Sequence, residues 1–225
     1  MDRNPIWDIP TRLIHWLFVI GVVVAWWSAE TQRYDLHEWN GYAILVLVIS
    51  RLIWGFVGSK HSRFVDFVRG PRKVLSYVRG ALSKNKFDEA ENKLGHNPLG
   101  ACSVVLLLTA LLVQAISGLF NSDDILFSGP FYYAADSSWQ GVMGVAHEWA
   151  FNVLLALILL HLVAVAYYQY KGGDILRPMF RGYSGGRFAS TKPVAVWYWL
   201  LIVGLLAAVL WWLIQQAPQP TTNWW

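Results

Sequence analysis

The stretch Val145-AHEWAFNVLLALILLHLVAVAY-Tyr168 decides the fold. Glu148 is its only charged residue across 24 positions. As an α-helix it would span about 36 Å, more than the roughly 30 Å hydrocarbon core of a bilayer. His147 and His161 stand fourteen residues apart within it. Fourteen residues is close to four helical turns, so both imidazoles leave nearly the same face, roughly 21 Å apart along the axis. A histidine inside a membrane helix is costly and is read as functional by default.

The rest of the chain agrees with a membrane location. Of its 225 residues 56% are hydrophobic and only 14% charged, against about 25% charged in ordinary soluble domains. Five spans are expected, near Leu13–Ala29, Trp39–Val57, Leu99–Phe120, Val145–Tyr168 and Val194–Ile214. The first carries His15, Trp16, Trp26 and Trp27 and lacks a small-residue cleavage site, so it reads as a retained span. No internal repeat is evident. Seventeen of the 18 Lys and Arg lie in the N-terminal stretch, at the end of the second span, or in the segments 58–98 and 171–193. Glu30, Asp35, Asp123, Asp124 and Asp136 lie in the alternate connections. The positive-inside rule therefore puts the N-terminus in the cytoplasm and the C-terminus outside. The net charge of +4 reflects that orientation and not nucleic-acid binding. Trp211, Trp212, Trp224 and Trp225 suit the outer interface. Cys102 is the single cysteine, which excludes an internal disulfide and a Cys-x-x-Cys-His haem attachment.

The connections carry further expectations. Pro10 and Thr11, the latter as cap, fit a first helix beginning near them. Residues 60–93 alternate apolar and basic side chains at helical spacing, which reads as a helix along the inner membrane surface interrupted at Gly70-Pro71. Asn121–Gly144 reads as a long outer loop. The last span has no titratable residue between Val194 and Ile214, so it cannot ligate a metal.

Depth pairs the histidines. His15 and His161 fall toward the inside, His37 and His147 toward the outside. Four imidazoles at two depths cannot make one tetrahedral zinc site. They are what two stacked, bis-histidine haems need. Arg51 follows His37 by fourteen residues, and Arg12 precedes His15 by one turn. Either suits an anionic haem propionate, or is a helix-end charge reaching for the interface. His61 is expected in solvent. His96, before the third span, suits an interfacial role or contact with a quinone or propionate. Gly21, Gly41 and Gly118 mark either room for a flat ring or close helix packing.

Several of these residues carry a family resemblance. Trp7-Asp8-x-Pro10-x-Arg12-x-x-His15-Trp16 resembles the opening of the prokaryotic cytochrome b561 and nickel-hydrogenase cytochrome b superfamily. His37-Glu38-x-x-Gly41, Arg51-Leu52-x-Trp54-Gly55-x-x-Gly58, Gly95-His96-Asn97-Pro98-Leu99-Gly100, His147-Glu148 and Leu160-His161 are similar to its later motifs. The resemblance covers about residues 5–182. It implies an all-α integral membrane bundle with a four-helix haem-binding core in 1–182, to which the hydropathy pattern adds a connector and an accessory fifth transmembrane helix in 183–225. It implies two non-covalent haem b groups ligated by His15, His37, His147 and His161. Its expected function is electron transfer in a respiratory chain, between a quinone pool and a periplasmic or membrane redox partner such as a c-type cytochrome, hydrogenase or reductase. The expected location is the bacterial inner membrane. The fifth span departs from four-helix members of the family and leaves the subfamily open. A stand-alone quinone-linked oxidoreductase, such as a superoxide oxidase, is the rival within redox chemistry, although acidic outer loops do not steer an anion. A transporter or haem-handling protein is the rival outside it, but the repeats and broken helices common in transporters are missing.

Cationic neighbours favour a reduced haem, and Arg12, Arg51 and the basic connector all lie on the inner side. The inner haem is accordingly expected to have the higher midpoint potential. A redox titration of single-ligand variants that gave the higher potential to the outer haem would overturn this.

Overall fold

The computed structural model describes residues 7–68, 70–82, 98–123, 125, 127–174, 176–182 and 193–218. His96, Asp124, Lys84–Lys93, Trp224 and Trp225, all singled out above, lie outside the described residues. Regular structure among the described residues is helical, apart from one isolated bridge between Ser122 and Ser128. The helices are α1 (Ile9–Glu30), α2 (Tyr34–Val57), α3 (Phe64–Phe67), α4 (Pro71–Leu82), α5 (Pro98–Gly118), α6 (Ser137–Tyr170), α7 (Leu176–Arg181) and α8 (Val196–Gln215). Five of them, α1, α2, α5, α6 and α8, are long and apolar enough to cross a membrane. The protein is an all-helical, multi-pass membrane protein. Many of the large side chains on these helices, such as Ile20, Trp27, Leu159 and Leu205, are exposed, as lipid-facing positions require.

The chain divides into two compact units. The first comprises Met1–His15, Arg51–Leu108 and Ala156–Trp199, the second Trp16–Ser50, Thr109–Leu155 and Leu200–Trp225. Each spanning helix gives one segment to each unit.

The first unit is organised around a buried polar knot. Asp8, and not Thr11, caps α1: its Oδ1 accepts the Thr11 N–H at 2.9 Å. Its Oδ2 accepts from the fully buried Trp54 Nε1 at 2.9 Å. Thr11 lies inside the first turn, where its hydroxyl pairs with the buried Ser62 hydroxyl at 2.8 Å. An aspartate caps better than a threonine because its carboxylate accepts charge-assisted bonds, and here it holds α1 to the end of α2 as well. Burial pushes the Asp8 carboxyl up, but hydrogen bonds from Thr11, Ser59 and Trp54 hold it below its ordinary value. The Ser59 hydroxyl in turn accepts the Val194 N–H at 3.0 Å, tying in the approach to α8. Among the described residues of the connector after α2, a 3-10 turn (Lys60–Ser62) and α3 precede α4, which begins at Pro71.

In the second unit, α6 begins at Ser137, eight residues before the expected Val145. The signal was Asp136, whose Oδ1 accepts the Trp139 N–H at 3.0 Å and caps the helix. The preceding loop is correspondingly shorter and is internally bonded. Gly129 N–H donates to Asn121 O at 2.8 Å and Phe131 N–H to Leu119 O at 2.9 Å. Asp123 Oδ1 closes the tip on the Ile125 and Phe127 N–H groups. The Phe127 ring stacks on Tyr34 at the start of α2, 5.7 Å between centroids. α8 packs beside α2 through stacked Trp39 and Trp211, 5.8 Å apart.

Replacing Asp8 by Ala removes the cap, about 1 kcal/mol, and strands the buried Trp54 N–H, about 1–3 kcal/mol. Thermal unfolding of the detergent-solubilised protein is expected to show a loss of about 2–4 kcal/mol, only part of it recovered by Asp8→Asn, which keeps one acceptor oxygen for the two donors.

Candidate functional site

The histidines expected to share a depth also share a unit. His37 and His147 both lie in the second. Their ring centroids are 6.3 Å apart and their planes cross at 77°. His37 Nδ1 is 2.9 Å from the carbonyl oxygen of Ala25 on α1. His147 Nδ1 is 3.0 Å from the carbonyl oxygen of Gln114 on α5. A carbonyl only accepts, so each Nδ1 carries a proton, and in the neutral tautomer with that proton the lone pair is on Nε2. The Gln114 side chain fits that tautomer: its Nε2 amide donates to His147 Nε2 at 3.0 Å.

The spacing suits two ligands on one metal. A metal–imidazole nitrogen bond is about 2.0–2.1 Å, and the ring centre lies roughly 1.1 Å further, so two opposed ligands stand about 6.3 Å apart. No group of three or more His, Cys, Asp or Glu side chains able to hold a metal occurs among the described residues.

The three glycines now separate. A Cβ at Gly21 would meet Ile44 at 3.0 Å, so this glycine serves close packing of α1 on α2. A Cβ at Gly118 would meet the His147 ring, with Cε1 at 3.0 Å, so Gly118 makes room for the imidazole itself. At Gly41, one turn beyond His37 on the same face, nothing lies within 4 Å of a Cβ position.

The first unit holds the other pair. His15 and His161 are within electrostatic reach of one another. Arg51 of the same unit is 6% exposed. Its guanidinium lies over the Phe64 ring, 5.1 Å from the centroid, and Asp8 acts on it electrostatically. Yet its Nη1 is buried with no hydrogen-bond partner among the described residues. Arg12 is divided in the same way. Its Nη1 donates to Phe180 O at 2.9 Å, capping the end of α7, while its buried Nε finds no partner among the described residues. Two buried cationic donors lacking an acceptor suit an anionic group held in this unit. His61, expected in solvent, is half-buried because its turn is pinned by the Ser62–Thr11 bond. Burial first, then Lys60, push its imidazolium below the ordinary histidine value, against Asp66.

Sequence reasoning missed Asp8 as the organiser of the first unit and Gln114 as a contact of His147. Asp8 was visible as an acidic residue just ahead of an apolar run with Pro10. Gln114 stands out as the one amide side chain within α5.

Residues 6–182 match the family model described as prokaryotic cytochrome b561. The chain belongs to the prokaryotic cytochrome b561 family. It is therefore a membrane electron-transfer cytochrome of the haem b type. No curated protein and no solved structure matches it. The non-covalent haem of a b-type cytochrome asks for neutral imidazole ligands, room for a flat ring and partners for anionic propionates. In the second unit the His37 and His147 rings, 6.3 Å apart, suit such ligands, and in the first unit the buried donors of Arg51 and Arg12 suit an anionic group.

In this cytochrome b561, Gly118→Ala should push the His147 ring aside and lower the haem bound per chain, measured as the pyridine haemochrome. Gly21→Ala, which meets the side chains of Ile44 and Asn40 and no histidine, should leave haem content unchanged.

Proposed function

We propose that this cytochrome passes single electrons across the membrane through two b haems, between a quinone pool and a redox partner. His37 and His147 hold one haem, and His15 and His161 the other. The observation that carries the reading is the 6.3 Å separation of the His37 and His147 rings, with both Nδ1 positions engaged by main-chain carbonyls.

When bound, haem supplies a one-electron redox centre. The chain supplies what sets its behaviour. The carbonyls of Ala25 and Gln114 fix the histidine tautomers and raise the basicity of the rings. The apolar spans keep water from the ligands. Arg51 and Arg12 place positive charge in the unit of His15 and His161 and offer donors to propionates. Residues 1–182 form the di-haem domain, and 183–225 supply the connector and an accessory helix. The basic connections face the cytoplasm, which puts the N-terminus inside and the C-terminus in the periplasm of a bacterial inner membrane. The partner is a periplasmic or membrane protein such as a c-type cytochrome, a hydrogenase or a reductase.

The test is a reduced-minus-oxidised spectrum of the purified protein with haem counted per chain. Two b haems are expected, falling to one in His161→Ala. A protein purified without haem after expression with ample haem supply would overturn the proposal, as would two haems surviving in that variant.

A further inference from the structure

The two imidazoles of the second unit are held in the same way from different helices. Three residues after Ala25 comes Ser28, fully buried at 0% exposure. Its hydroxyl donates to Ala25 O at 3.1 Å, and its oxygen lies 3.4 Å from His37 Nδ1. Three residues after Gln114 comes Ser117, buried at 1% exposure. Its hydroxyl donates to Gln114 O at 3.1 Å, and its oxygen lies 3.2 Å from His147 Nδ1. Each imidazole N–H thus faces two oxygens, a carbonyl and the serine hydroxyl bonded to that same carbonyl.

The pattern has a geometric reason. Residues three apart share a helix face, and a serine in a helix commonly turns its hydroxyl back to a carbonyl of the preceding turn. The hydroxyl proton is spent on the carbonyl, so the serine oxygen is left to accept from the histidine. A ring anchored at Nε2 can turn only by swinging its Nδ1–H, and an N–H facing two oxygens is confined to a narrower arc than one facing a single carbonyl. The two planes so held cross at 77°.

We propose that Ser28 and Ser117 are positioning residues that set the crossed orientation of the His37 and His147 ring planes, and through it the electronic structure of the haem they hold. This rests on the reading of His37 and His147 as the ligands of one haem. The physical link is orbital. An imidazole ring donates π density into the iron d orbital perpendicular to its own plane. Parallel rings act on one d orbital and split the pair, whereas crossed rings act on both and keep them nearly equal in energy. A ferric low-spin haem with crossed ligands gives a highly anisotropic electron paramagnetic resonance signal. Parallel ligands give an ordinary rhombic one.

The test uses the full chain in detergent. Haem per chain is counted first, then low-temperature electron paramagnetic resonance spectra are recorded for the wild type, Ser28→Ala, Ser117→Ala and the double variant. The expected result is unchanged haem content, because each carbonyl remains to hold its histidine. With it comes loss of a highly anisotropic wild-type signal in favour of a rhombic one, complete in the double variant and partial in the singles. The signal from the other haem should stay where it is and serves as the internal control. Haem retained with an unmoved spectrum would overturn the positioning role. So would loss of haem from either single variant, since the serine would then be holding the site together and not aiming a ring. A His37→Ala variant that keeps the full haem content would instead overturn the ligand reading beneath it.

Discussion

Within hydrocarbon no water is present to satisfy a polar group, so every imidazole N–H must find its acceptor in the protein. The arrangement of the second unit depends on this constraint. The acceptors chosen for His37 and His147 are main-chain carbonyls of α1 and α5, the most rigid oxygens a helical protein has. A side-chain acceptor would bring its own rotamers. A carbonyl in a helix is fixed by the hydrogen-bond ladder around it, so the position of each ring is referred to the backbone of a neighbouring span. Four helices are tied into the pair in consequence: α2 and α6 bring the rings, α1 and α5 the oxygens.

The first unit meets the same constraint with a carboxylate. Asp8 has α1's first turn, the Trp54 indole and the Ser59 hydroxyl as hydrogen-bond donors, and Arg51 as a nearby cation. A buried charge that is paired and fully bonded is tolerable, and one that is neither is not. Asp8 is of the first kind. Arg51 and Arg12 keep donors in reserve, and an arrangement with reserved cationic donors is suited to hold an anion brought from outside the chain.

The spans were legible because they rest on period and composition, which a single sequence carries in full. Fourteen residues on a helix is a face and a distance at once. What was not legible lies where two elements meet. The start of α1 was placed on Thr11 because the carboxylate of Asp8 could equally have been a surface charge until Trp54 was seen to donate to it. The start of α6 was set eight residues late because Gly141, Gly144 and Trp139 look like loop composition, and the capping role of Asp136 shows only in the bond to Trp139. Gly21, Gly41 and Gly118 looked alike in sequence. They differ in what stands opposite each, and that is information held by another segment of the chain. The serine beside each carbonyl could not have been chosen among the other serines without knowing which carbonyl the histidine uses.

The length of α6 has a consequence for energy conversion. Thirty-four residues make a rod of about 51 Å, far more than the roughly 30 Å of hydrocarbon. His147 and His161 lie seven residues either side of Leu154, each about 10 Å from the middle of the rod. With α6 centred on the bilayer, both proposed iron sites fall inside the insulating slab, and an electron passing between them crosses about two-thirds of its thickness. Such a transfer is electrogenic. At about 2.3 kcal/mol per charge per 100 mV across the whole membrane, each 100 mV shifts the balance between the two sites by roughly 1.6 kcal/mol. On the proposed two-haem reading, the spacing of two histidines on one helix makes the membrane voltage a participant in where the electron rests.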